Sequence, residues 1–154
     1  MGAKVKNPRK KFLWSIMFPK HPINTYLFQS CTLPDIEIDQ VAHGDVNRDV
    51  KTAGRVTIGN LIVEKLMTTS GSDTWLHDWL YACQDHIVGG GLVPSQYWET
   101  AIVNELAEDG VSVLNTHVFE EVWPCKITGL DLDRMASENT IESIEFSVGT
   151  ADKY

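Results

Sequence analysis

The densest set of reactive side chains in the chain is His77, Asp78, Cys83, Asp85 and His86, since imidazole, thiolate and carboxylate are all metal-ligating groups. Their spacing argues against a site. Cys83 and His86 share a helical face, but His77 lies nine residues before His86, which is neither a zinc spacing nor a His-x-x-x-His pair. Cys31, Cys83 and Cys125 coexist with five histidines, yet no nucleophile elbow surrounds any of them, and Cys83 falls on the apolar face of a helical pattern, where an inert buried thiol is expected. Glu120 and Glu121 are adjacent carboxylates, and neighbours on a strand point to opposite faces. Gly89-Gly90-Gly91 is followed by no Lys-Ser or Lys-Thr and opens no helix after a strand, so it is no phosphate cradle. No catalytic residue, metal or cofactor is expected, and a structural or binding role takes precedence over an enzymatic one.

The elements around these residues are mostly strands. Period-two runs separated by Gly, Pro, Asn and Asp clusters predict strands near 12–18, 25–32, 34–41, 55–66, 97–107, 111–121, 125–133 and 140–149. Ile36 and Ile38 alternate with Glu37 and Asp39, and Ile144, Phe146 and Val148 alternate with Glu145 and Ser147, so these strands have one apolar and one polar face. Asp109-Gly110 joins the pair at 97–121 as a hairpin. The exception is a single helix carrying Trp75, Leu76, Trp79, Leu80, Cys83 and Ile87 on one face, capped by Ser72 or Asp73 and ended by Gly89-Gly90-Gly91. The fold class is mainly β, an antiparallel sandwich or barrel with one α-helix and a long protruding hairpin arm.

That arm is residues 40–54, where the alternation fades around His43, Gly44, Asp45, Val46, Asn47, Arg48, Asp49 and Val50. It is long for a connection inside one small domain and is read as a subunit-interface element completed by a partner. Charge points to a second interface. Lys4, Lys6, Arg9, Lys10 and Lys11 precede every acid, leaving 8 basic against 21 acidic residues from position 12 onward. A basic leader at 1–11 ahead of an acidic domain at 12–154 suits docking of Lys10 and Lys11 onto an acidic neighbour, including another copy. The acidic body disfavours nucleic-acid binding. No run reaches the roughly 18 apolar residues of a membrane span, and the leader lacks a signal-peptide core, so synthesis in a reducing cytoplasm is expected. Cys31 and Cys125 fall near predicted strand ends and are candidates for a disulfide between subunits.

Trp123-Pro124 begins what is read as a closing hairpin, with Pro124 as first strand residue, Ile127 opposite Lys126, Thr128, Leu130 and Leu132, and a return through Phe146. This ending follows the Phe12-Leu13-Trp14-Ser15-Ile16-Met17-Phe18 strand, the Leu33-Pro34-Asp35-Ile36-Glu37-Ile38 strand leading into the arm, and the tryptophan-bearing helix. In that order the chain resembles the tail tube proteins of contractile-tailed bacteriophages, which are related to contractile bacteriocin tubes and to the haemolysin-coregulated protein of type VI secretion. The resemblance implies a non-enzymatic subunit of hexameric rings stacked into a conduit for DNA in the virion tail, assembled in the host bacterial cytoplasm. It implies tail sheath, tape measure, baseplate and tail terminator proteins as partners, with DNA passing the lumen without specific binding. The alternatives are a tube protein of a secretion or bacteriocin particle, and a soluble ligand-binding β-sandwich using Tyr97 or Trp98 as contacts.

Overall fold

The computed structural model describes residues 8–21, 28–67 and 74–154. The Ser72 or Asp73 cap, positions 25–27 of the second expected strand, and Lys4 and Lys6 lie outside those residues. The strands are β1 (Trp14–Met17), β2 (Phe28–Thr32), β3 (Ile36–Gly44), β4 (Asp49–Ile58), β5 (Leu61–Leu66), β6 (Glu99–Leu106), β7 (Val113–Ile127), β8 (Ile141–Ser147) and β9 (Thr150–Lys153). Among the described residues two helices, α1 (Trp75–Cys83) and the single-turn α2 (Pro94–Tyr97), lie between β5 and β6.

All pairings are antiparallel. The main sheet runs β1-β6-β7-β8-β5-β2, with β9 also on β7. β7 pairs first with β6 and β9 and then, beyond Val122, with β8, so one strand belongs to two sheet faces. The bend has a local cause: Glu121 takes a left-handed φ of 55°, Gly149 N–H donates to the Glu120 carbonyl at 3.0 Å, and the ladder slips between Pro124 and Lys126. Proline removes a ladder donor, which a register break tolerates. Pro124 is therefore an interior, fully buried residue of a 15-residue strand and not its first. The expected strand at 125–133 stops at Ile127, because Gly129 and the Asp131–Asp133 run belong to the turn before β8. The expected 55–66 strand divides into β4 and β5, where Gly59 N–H donates to the Asp35 carbonyl at 2.8 Å.

The core forms where the two sheet faces meet beneath α1. Ile16, Ala101, Val103, Phe119 and Val122 come from one face, and Phe28, Leu61, Val63, Ile144 and Phe146 from the other. Phe18 is fully buried at the centre, its ring 5.3–6.0 Å from those of Phe28, Trp75, Trp79 and Phe146. Lys65 and Glu142, cross-strand partners in β5 and β8, occupy core positions and are buried; Glu142 also meets His77 Nε2 at 3.2 Å.

Helix α1 is one turn shorter than its apolar periodicity. It buries Trp75, Leu76 and Trp79 but ends at Cys83, leaving Cys83 half-buried and Ile87 exposed. The chain doubles back there: Gly89 and Gly90 have φ of 79° and 89°, Leu92 N–H reaches the Ala82 carbonyl at 2.9 Å, and a Cβ on Gly91 would strike the Cys83 carbonyl. The glycines thus reverse the chain beyond the helix instead of capping it directly. Among the described residues no helix is long and apolar enough to cross a membrane.

Candidate assembly surface

Among the described residues β3 and β4 form a separate two-stranded sheet, tied at its base by the Gly59 N–H to Asp35 carbonyl bond. At roughly 3.3 Å per residue the nine residues of β3 span about 30 Å. Pairing brings Ile36 against Ile58 and Ile38 against Val56, and the register slips where Asp39 faces the Gly54–Arg55 step. Gly54 suits the step, since a Cβ there would press on the Asp39 carbonyl oxygen at 3.0 Å. The alternation of Ile36 and Ile38 with Glu37 and Asp39 produces an apolar face as expected. That face is uncovered: Ile36 is 60%, Ile38 53% and Val56 58% exposed. Every residue of β3, and all of β4 but Ile58, is exposed.

The expected interface residues of the arm lie at its far end. His43 and Gly44 finish β3, Asp49 and Val50 begin β4, and the turn between them is held by Asp45 N–H to the Arg48 carbonyl at 2.8 Å. Asp45 Oδ1 accepts from Val46 N–H at 2.7 Å, and Val46 projects 92% exposed. Lys10 and Lys11 are exposed, 30 or more positions away in sequence. Their neighbour Arg9 pairs with Glu105 within the same chain. Sequence reasoning placed the arm but missed that its base, at Ile36, Ile38 and Val56, carries more uncovered apolar surface than its middle.

Two further surfaces come from distant parts of the chain. Among the described residues β1 and β2, the ends of the sheet order, do not pair with each other, and they line an open cleft of about 1040 Å³ with Trp14, Ile16, Phe28 and Cys31 in its wall. Near α1, Trp79 Nε1 donates to the Tyr97 carbonyl at 2.8 Å and ties α1 to α2. Between these helices and the start of β6 is a cleft of about 280 Å³ lined by His21, Trp75, Asp78, Trp79, Tyr97 and Glu99.

The reactive side chains are dispersed. His77 turns to Glu142, His86 lies beside Tyr81 with ring centroids 5.4 Å apart, and no group of three His, Cys, Asp or Glu side chains among the described residues is placed to hold a metal. Glu120 and Glu121 are both exposed, because the left-handed backbone at Glu121 interrupts the strand alternation expected there. Burial pushes the Cys31 thiol up to about 12, and burial with the Glu99 charge pushes Cys83 to about 11. Cys125 is exposed and its Sγ donates to the Glu145 carbonyl at 3.4 Å; partial burial, then the Glu145 charge, raise it as well.

The profile of the T4-like virus tail tube protein gp19 family matches residues 10–150. Tail tube protein gp19 of Enterobacteria phage T4 is 27% identical over 128 residues, covering 80% of this chain and 77% of that protein. The fold is similar to the tube-terminating cap of the anti-feeding prophage, with TM-score 0.82 at 16% identity over 100% of this chain and 95% of the other. It is also similar to a chain of the sheath-tube complex of an extracellular contractile injection system, PVC, in its extended state, with TM-score 0.78 at 18% identity over 97% and 93%.

Proposed function

This chain belongs to the T4-like virus tail tube protein family, and from that premise we propose that it assembles into hexameric rings stacked as a DNA conduit, with the arm and the basic leader making contacts between copies. It is a structural subunit of a tail tube. The observation that carries the finer reading is the arm: 19 strand residues, nine in β3 and ten in β4, ordered with an apolar face that a single chain does not cover. A two-stranded hairpin is marginal in water unless a third element packs on it. A neighbouring copy supplies that element in a ring or between rings.

In this reading a sheath surrounds the tube, terminator and baseplate proteins close its ends, and a tape measure protein occupies its lumen during assembly in the host cytoplasm. The chain spans 97% of itself in alignment with a sheath-tube complex, which supports the outer partner by analogy of fold. The acidic body disfavours adhesion of DNA phosphates, so a genome slides through without specific binding.

Replacing residues 40–54 by a short turn tests the role of the arm. The shortened protein is expected to keep the far-ultraviolet circular dichroism of a folded β protein, reduced only by the arm strand residues removed, and to form no tubes under negative-stain microscopy. Tubes of normal appearance from the armless protein overturn the assignment.

A further inference from the structure

We propose that the cleft between α1, α2 and the start of β6 is a receptor for a lysine ammonium supplied by the leader of a second copy of this chain. The proposal rests on the reading of the leader as an intersubunit element, and names its receiving site.

The cleft is chemically incomplete in the single chain. Glu99 is 11% exposed at its side chain; its Oε1 meets His21 Nε2 at 3.3 Å, while Oε2 is buried without a partner. Trp75 Nε1, in the same lining, is also buried without a partner. Buried polar atoms are nearly always satisfied, so two orphans in one cleft mark a place where another group belongs. A carboxylate oxygen demands a donor, and Asp78 adds a second acidic side chain to the lining beside Glu99. An ammonium satisfies both, having three donors and a full positive charge. The Trp75 N–H finds its acceptor in a backbone carbonyl of the segment that brings the lysine. Leu92 and Ala82 in the lining suit the methylene stem of that side chain.

For Lys10 and Lys11 the geometry requires another copy. Arg9 Nη1 is fastened to Glu105 Oε2 at 2.6 Å, which holds the base of the chain's own leader at one end of β6. Glu99 is at the other end, six strand residues or roughly 20 Å away. Lys10 and Lys11, next to Arg9, are too far to reach it and are exposed.

The test is carbodiimide coupling of assembled protein prepared from mixed light and ¹⁵N-labelled copies, followed by mass spectrometry of linked peptides. Mixed-isotope linkage of Lys10 or Lys11 to Glu99 or Asp78 is expected, and the Asp78 linkage should fall by about fivefold in Glu99→Gln, the loss expected for one exposed-to-partly-buried ion pair. Linkage of these lysines between copies to other carboxylates only overturns the cleft as receptor while leaving the leader intersubunit. Linkage within one copy alone, or none, overturns the intersubunit leader and the receptor together.

Discussion

Arg9 and Glu105, 96 positions apart, meet with Nη1 and Oε2 at 2.6 Å, and the same carboxylate accepts from Asn115 Nδ2 at 2.8 Å and faces His117 Nε2 at 3.3 Å. The Asn115 hydrogen bond, followed by His117 and Arg9, holds the Glu105 carboxyl below its ordinary value of 4.5 despite some burial. A depressed carboxylate stabilises the fold above its unfolded value and loses that contribution as pH falls through the folded value. Glu105→Gln should therefore lower the urea midpoint at pH 7, and the gap from wild type should narrow as pH falls below the ordinary carboxyl range, which denaturation curves at neutral and acid pH measure. Arg9→Gln should cost at most about 1 kcal/mol, as an exposed pair does.

Phe18 organises the aromatic core from a strand end, touching rings from β2, α1 and β8. Phe18→Ala should cost about 3–5 kcal/mol by chemical denaturation. A cost under about 1 kcal/mol would show that the ring cluster collapses around the gap.

Gly149 lies against Glu121 at the bend of β7, and a Cβ there would come within 2.6 Å of Glu121 Cβ. Gly149→Val is expected to destabilise by about 1–3 kcal/mol. Glu121→Gly should relieve the left-handed φ of 55° and leave stability unchanged or higher by up to about 1 kcal/mol. Thermal melts of both variants check the opposite signs.

The thiols should separate by reactivity. With Cys31 pushed to about 12, only about one thiol in ten thousand is thiolate at pH 8. Iodoacetamide should label the exposed Cys125 first, then Cys83, with Cys31 last, as read by mass spectrometry. A disulfide between copies, if assembled particles show one on non-reducing gels, is expected to involve Cys125 and to vanish in Cys125→Ser.

Local devices were legible in the sequence and long-range ones were not. The Asp109-Gly110 turn is visible because its parts are adjacent: Asp109 Oδ1 accepts from Val111 and Ser112 N–H at 2.9 Å, and Gly110 takes a φ of 76°. The arm was visible as a stretch whose pattern no longer matched a buried strand. The periodicity that carried α1 on to Ile87 does not encode the approach of Gly91 to the Cys83 carbonyl, which stops the helix. Pro124 looks like a strand start by composition, yet the register break opposite β8 lets it sit inside β7. The cleft at Glu99 joins His21, Trp75 and the Tyr97–Glu99 stretch from three separate parts of the chain, and no short spacing relates the three.

The central claim is that the apolar base of the arm is covered by another copy in a tube. Negative-stain microscopy of purified wild type beside Ile38→Asp/Val56→Asp tests it most directly, because both positions are already exposed in the single chain and the fold should survive the change. The account predicts stacked rings or tubes from wild type, and monomers with unchanged circular dichroism from the double variant. Tubes of the same diameter from both proteins, or dispersed monomers from wild type at every concentration, would contradict it.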